Sequence, residues 1–177
     1  LGARVSLAVG LVATLVSLFI GVAWGATAGF IGGAVDAWMM RFVDVLYGLP
    51  FMFLVILLLV WFEDLPPGGR LYLLFVALGA VQWLTMARIV RGQVISLKAL
   101  PFVDAARTLG LPTRTLIARH LVPNALGPIV VYATLTVPAV MLEEAFLSFL
   151  GLGVQAPYAS WGSLAADGAR AFAEYPW

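Results

Sequence analysis

The sequence has no cysteine and only one histidine in 177 residues, and only 11% of its residues are charged. Without cysteine the chain can form no disulfide bond and no thiolate metal site, and His120 cannot build a metal centre by itself. A soluble domain of this size carries about a quarter of charged residues. Such a small number of charged residues cannot cover the surface of a soluble globular domain. The composition therefore predicts that lipid is the solvent of this chain.

Sequence motifs of enzymes are missing as well. There is no phosphate-binding loop of the form Gly-x-x-x-x-Gly-Lys-Ser/Thr, so we expect that the chain does not hydrolyse a nucleotide itself. No Ser/His/Asp order of a hydrolase is present. Glu143 and Glu144 are adjacent, so on a helix they point about 100° apart and do not face each other as an acid and a base. We therefore predict that the chain is not an enzyme.

Long apolar stretches without charge dominate what is present. A helix needs roughly 20 apolar residues to cross the hydrocarbon core. Residue 1 is Leu and no signal peptide precedes the first apolar stretch, so we expect a piece of a longer protein. Glycines and Pro157 predict an irregular external loop over 151–177. Within a single transmembrane domain over 1–177, we predict four spans, at about 5–31, 45–62, 71–91 and 124–143.

Between these spans lies a basic loop, residues 92–123. Six of the ten Lys and Arg residues fall between Arg88 and Asn124. Each Lys or Arg at the bilayer centre costs about 2.5–3.5 kcal/mol on insertion scales, so this loop must lie in water. Because cytoplasmic loops carry the excess of positive charge, we expect this one in the cytoplasm.

Proline and glycine divide this loop into two predicted helices. Pro101 suits a first helical position. The negative charge of Asp104 in the first turn interacts favourably with the helix dipole. Gly110 can end the helix in a left-handed conformation, and a second helix over 113–121 then continues toward Pro123. Helical spacing predicts a small apolar face made of Phe102, Ala105, Ala106 and Leu109. Such a helix fits a groove on a partner protein or lies on anionic lipid, and its physics favours neither.

Two further patterns suggest contacts between helices. Small residues repeat every four positions along the first span, which favours tight helix packing or the lining of a pathway. They are Ser17, Gly21, Gly25, Gly29 and Gly33. Arg41 and Asp44 are three residues apart and can pair with each other, or Asp44 can pair with a neighbouring helix. The two charges could anchor an inner gate, or they could simply neutralise each other near the membrane interface.

Several segments together resemble one family, the permeases of ATP-binding-cassette importers. Asp104-Ala105-Ala106, then Gly110 and the close at Pro123, is similar to the family's "EAA" loop, with Asp104 where the family has Glu and Val122 where it has Leu. Three other segments resemble the dipeptide, oligopeptide and nickel branch. They are residues 119–124 (Arg-His-Leu-Val-Pro-Asn), residues 144–153 followed by Ser160-Trp161-Gly162, and residues 41–44 with Pro50.

The resemblance implies an all-α fold, the type I importer transmembrane fold, with four of about six spans in this sequence and helices missing at both ends. It implies a peptide permease in a bacterial or archaeal inner membrane. The partners implied are two cytoplasmic ATPase subunits that bind ATP and Mg, a second and different permease subunit, an extracytoplasmic substrate-binding protein and membrane lipid. No cofactor in this chain and no nucleic acid are implied.

Coupling to the ATPases is implied for the helix around Asp104 to Gly110, which would sit in a cleft of the ATPase subunit. The residues implied are Pro101, Phe102, Asp104, Ala105, Ala106, Leu109, Gly110, Arg119, His120, Pro123 and Asn124. Three alternatives remain: import of nickel complexes, transport driven by an ion gradient, and a scaffold whose basic loop binds lipid or a regulator. An ion-coupled transporter predicts ionisable residues in the middle of spans, which these four stretches lack.

Overall fold

A computed structural model describes residues 2–174, and all regular secondary structure within that range is helical. The two longest helices are α1 (Gly2–Ile31) and α4 (Pro67–Leu97). The other elements are α2 (Gly33–Tyr47), α3 (Phe51–Trp61), α5 (Pro101–Thr108), α6 (Thr113–Thr115), a π-helix (Leu116–Leu121), α7 (Val122–Asn124), α8 (Leu126–Phe149) and α9 (Trp161–Glu174).

Among the described residues, three helices are long and apolar enough to cross a membrane, namely α1, α4 and α8. The pair α2 and α3 also qualifies if the two helices are taken together as one bent span, which makes up to four. Pro138 lies inside α8 and has no backbone N–H to donate, which membrane-spanning helices tolerate more often than soluble ones. The fold is therefore an all-α membrane fold.

The predicted span over 45–62 contains a break at residues 48–50. Pro50 has no backbone N–H to donate and disfavours the helical conformation at Leu49, so the helix ends before it. Pro50 itself is extended, with φ −69° and ψ 95°, and α3 starts at the next residue. The helix before the break, α2, begins at Gly33, which is twelve residues before the predicted start of this span at residue 45.

The predicted irregular loop over 151–177 is also corrected, because α9 begins at Trp161. Ser160 caps this helix: the N–H of Ser163 donates to Ser160 Oγ at 3.2 Å, and the N–H of Ser160 donates to Ser163 Oγ at 2.8 Å. Such reciprocal bonds satisfy backbone donors that the first turn of a helix leaves free. Glycines had suggested a loop here, but Gly162 has a packing role described below.

Contacts divide the chain into two compact units, each with its own core. Unit 1 comprises residues up to Leu15, Pro50–Val81 and the chain from Leu135 onward, and unit 2 comprises Val16–Leu49 and Gln82–Thr134. The core of unit 1 contains Val9, Leu59, Leu74, Leu78 and Leu147. The core of unit 2 contains Met86, Val90, Val94, Leu121 and Ile129.

Candidate functional site

The short helix α5 begins and ends with local signals that its sequence contains. Leu100 is extended before it, with φ −84° and ψ 145°, and Pro101 stands in the first turn. At the other end Gly110 has a φ of +76°. The N–H of Leu111 donates to the carbonyl of Ala106 at 3.3 Å and that of Gly110 to Arg107 at 2.8 Å. This is the Schellman arrangement, which satisfies the last carbonyls of a helix.

One face of α5 is buried and the opposite face is exposed. Val103 and Ala106 are buried, and Val103 belongs to the same core cluster as Val94 and Leu121. Leu109, in contrast, has 82% of its surface exposed. The predicted apolar face is therefore divided, because Ala106 points into unit 2 while Phe102, Ala105 and Leu109 are exposed.

The predicted second helix does not end before Pro123. It continues as α6, a π-helix and α7 up to Asn124. Pro123 has no N–H for the carbonyl of Arg119, and its ring crowds that carbonyl, which explains a locally widened helix. The Asn124 amide donates to the carbonyl of His120 at 2.5 Å, so Asn124 stabilises this turn. Arg119 is exposed and His120 is half-buried.

Two basic residues connect the loop with the end of α1. Lys98 Nζ donates to the carbonyl of Gly29 at 2.7 Å, and the carbonyl of Phe30 lies 3.4 Å from it. A cation at a helix C-terminus stabilises the carbonyls left free there. The guanidinium of Arg107 lies 5.3 Å from the centre of the Phe30 ring, within cation–π range. The exposed loop is therefore anchored to a long apolar helix.

Two ion pairs join α2 to α4. Arg91 contacts Asp36 with two nitrogens, at 2.5 and 2.6 Å, and the Asp36 side chain is only 13% exposed. Arg88 contacts Asp44 at 2.7 Å and lies over the Tyr47 ring at 4.0 Å. Of the two pairings open to Asp44, the structure shows the one with a neighbouring helix. Arg41 is exposed and makes no ion pair among residues 2–174.

Three glycines of the small-residue pattern lie where α1 approaches α4. A Cβ at Gly25 would lie 2.2 Å from the carbonyl oxygen of Ala87, one at Gly21 2.5 Å from Met86 Cβ, and one at Gly29 2.8 Å from the carbonyl oxygen of Arg91. Only glycine permits such contacts between backbones. Ser17 is fully buried on the same helix. Gly33 differs: it follows the end of α1, has a φ of +57°, and has nothing within 4 Å of a Cβ.

A buried polar cluster in unit 1 was missed by sequence reasoning, which had judged Glu144 only as half of an acid–base pair. Glu144 is fully buried. Its two carboxylate oxygens accept hydrogen bonds from Ser6 Oγ at 2.7 Å and from Ser148 Oγ at 2.6 Å. These hydroxyls in turn accept the N–H groups of Val154, at 2.9 Å, and Trp161, at 3.2 Å. The one signal in the sequence is Ser148, four residues after Glu144 on the same helix.

Two glycines let the chain approach this cluster closely. A Cβ at Gly153 would lie 2.2 Å from Ser148 Oγ, and one at Gly162 would lie 2.1 Å from the carbonyl oxygen of Ala145. Gly151 provides the left-handed turn after α8, with φ +80°. The segments that carried the family resemblance at 144–153 and 160–162 therefore have a structural role, which is to fold the chain back onto the end of α8.

Within the described residues, the apolar helices and the short exposed helix between them define a multi-pass membrane protein. Residues 7–173 match the family of binding-protein-dependent transport system inner membrane components. This match covers nearly the whole chain, and the chain belongs to that family. It is thus a multi-pass membrane protein with the type I importer transmembrane fold.

Among curated proteins, three relatives show the level of similarity. The oligopeptide transport system permease protein OppC of Haemophilus influenzae is 49% identical over all of this chain and 55% of its own length. OppC of Bacillus subtilis is 50% identical over 99% of this chain and 56% of its own length. The dipeptide transport system permease protein DppC of Bacillus subtilis is 51% identical over 94% of this chain and 51% of its own length. The chain spans about half the length of these relatives.

Proposed function

We propose that this chain is part of a permease subunit that imports peptides, driven by separate ATPase subunits that contact it through α5. The observation that carries the proposal is the exposed face of α5. This face presents Phe102, Ala105 and Leu109 to the outside of unit 2, while Val103 and Ala106 hold the helix in place. A short, rigid helix with a small residue between two larger apolar ones fits a groove on a partner protein.

The contacts of α5 also favour a mechanical role over simple attachment to lipid. A lipid-bound helix would need its basic side chains free for head groups. Arg107 instead lies beside Asp104, at 3.3 Å, and over the ring of Phe30. The Schellman turn at Gly110 makes the helix end rigid. A force applied to α5 would therefore pass to the end of α1 through Arg107, and Lys98 reinforces that same end.

Peptides are the proposed substrates because relatives that are about 50% identical to this chain over the aligned region have oligopeptide or dipeptide transport in their names. None of the three relatives described above is named for nickel, so import of nickel complexes is not favoured. The proposed partners are two ATPase subunits, which bind ATP and Mg, a second permease subunit and an extracytoplasmic binding protein. In this arrangement the loop over 92–123 faces the cytoplasm of a bacterial or archaeal cell.

A substitution at Ala105 tests the coupling. We expect Ala105→Trp in the full-length permease to reduce copurification of the ATPase subunits and peptide uptake by at least tenfold. The reason is that the indole is too large for α5 to enter a groove that accommodates alanine at this position. The first measurement is copurification of the ATPase subunits in detergent. The second is peptide uptake into proteoliposomes in which the ATPases face the lumen and ATP is enclosed in the lumen.

The matched control is Ala118→Trp, which places the same side chain at another exposed alanine of the same loop, on the π-helix. We expect this variant to retain ATPase binding and uptake. Normal binding and uptake by Ala105→Trp would contradict the coupling role of α5. A wild-type complex that binds its ATPases but takes up no di- or oligopeptide would instead contradict the proposed substrate.

A further inference from the structure

The helix α9 is held against the ends of two apolar helices within unit 1. The N–H of Trp161 donates to Ser6 Oγ, in the second turn of α1. Gly162 contacts the backbone of Ala145, four residues before the end of α8. A Cβ at Gly2 would lie 3.0 Å from the Leu164 side chain. The first turn of α9 is therefore fixed at the level of Ser6 in α1 and of the C-terminal end of α8.

That level corresponds to a membrane interface. The helix α8 is long and apolar enough to cross a membrane, and it ends at Phe149 before the left-handed turn at Gly151, so this end of α8 lies at a boundary of the hydrocarbon. The Glu144 cluster fixes this level, because its carboxylate binds Ser6 of α1 and Ser148 of α8, and those hydroxyls accept the N–H groups of Trp161 and Val154. A segment held at this depth meets the polar head groups on one side and acyl chains on the other.

The side chains of α9 divide into three faces that match this depth. Gly162 and Ala166 are buried against unit 1. Trp161, Leu164 and Phe172 are exposed by 53%, 54% and 67%. At about 100° per residue these three lie within about 80° of one another around the helix. Asp167 and Arg170 lie about 120° to 180° from Trp161, and they form an exposed ion pair at 3.5 Å.

We propose that α9 is an interfacial helix whose exposed apolar face, Trp161, Leu164 and Phe172, binds the acyl chains of membrane lipid. A helix with large apolar residues on one face and charges on another lies in the plane of the interface. Trp is the residue that prefers this depth, because its ring is apolar and its N–H is polar. The Asp167–Arg170 edge then faces water and head groups. The Glu144 cluster is the anchor that sets the depth of this helix.

Spin labels on single cysteines test this proposal, since the sequence has no native cysteine. The full-length permease is assembled with its partner subunits in nanodiscs of phosphatidylethanolamine and phosphatidylglycerol, and any cysteines elsewhere in the complex are replaced by serine. Leu164→Cys and Phe172→Cys probe the apolar face, and Asp167→Cys and Arg170→Cys are the matched controls on the same helix. Power saturation then measures collisions with oxygen, which concentrates in lipid, and with a water-soluble nickel chelate.

We expect the ratio of oxygen to nickel-chelate collisions to be severalfold higher at 164 and 172 than at 167 and 170. Equal ratios at all four positions would overturn the proposal, because α9 would then lie in water. Exclusion of both reagents from 164 and 172 would also overturn it, since another protein segment would cover the face. So would a loss of label mobility at 164 on addition of peptide-loaded binding protein, which would make the face a protein docking surface.

Discussion

The two units of this molecule satisfy their buried acidic groups in different ways. In unit 1 the fully buried Glu144 accepts two hydroxyl hydrogen bonds. In unit 2 the half-buried Asp36 forms a two-point contact with Arg91. Both solve the same problem, because an acidic group inside an apolar protein is unfavourable unless its oxygens are occupied. The partners differ in what they connect.

In unit 1 the serine hydroxyls connect the buried carboxylate to backbone N–H groups, whereas in unit 2 the ion pair connects two helices. Each serine that binds Glu144 also accepts a backbone N–H, from Val154 or Trp161, so one carboxylate organises a turn and the start of α9. Arg91 and Asp36 join the sides of α2 and α4, where glycines on α1 already bring α1 and α4 together. We therefore expect the loss of Glu144 to disturb unit 1 more than the loss of any one ion pair disturbs unit 2.

The largest effect is expected for Glu144→Ala. This change leaves two buried hydroxyls without their acceptor and opens a cavity, which together lower the free energy of unfolding by about 3 kcal/mol. The residues around 151–160 should also become accessible to protease, because Val154 and Trp161 lose their ordered partners. Denaturant titration in detergent and limited proteolysis measure the two effects.

Glu144→Gln is the matched control, since the amide retains one oxygen that accepts and has nearly the same volume. We expect it to lose less than half as much stability. If the alanine variant unfolds at the wild-type midpoint and resists protease, the carboxylate does not organise unit 1, and the contrast between the units disappears.

A smaller loss, about 2 kcal/mol, is expected for Gly25→Ala, because the added methyl would overlap the carbonyl oxygen of Ala87 and force α1 and α4 apart. Gly92→Ala is the control in the same unit. Gly92 lies within α4 and has nothing within 4 Å of a Cβ, so alanine there should raise stability by about 0.5–1 kcal/mol through its higher helix propensity. Thermal unfolding of both variants measures the difference. Equal midpoints would show that close helix contact does not hold unit 2 together.

The smallest effects separate the two ion pairs of unit 2. Asp36→Asn removes a two-point contact that is largely shielded from water and should lower stability by about 1.5 kcal/mol. Asp44→Asn removes an exposed single contact, and the loss should stay below about 1 kcal/mol. Salt should weaken only the Asp44 contribution strongly. Unfolding of both variants is measured at low and at high ionic strength. A larger loss of stability for Asp44→Asn than for Asp36→Asn would contradict the prediction.

Local signals in the sequence were sufficient for some parts of the candidate site. Pro101 and Gly110 predicted where α5 begins and ends, because each acts through its own backbone geometry. The exposed side of α5 was not predictable in detail, since Ala105 and Ala106 are chemically identical and only the packing of unit 2 separates them. Pro50 is a further local signal, because a proline lacks the backbone N–H and interrupts the helix whatever packs around it.

The sequence by itself determined that lipid is the solvent and that the fold is an all-α membrane fold, because apolar runs act through their own transfer free energies wherever the chain folds. Only the tertiary structure decided that Asp44 pairs with Arg88, that Gly25 contacts α4, and that Glu144 binds Ser6, which lies 138 residues away in the sequence. Such contacts depend on distances between helices, and no local pattern of residues encodes those distances.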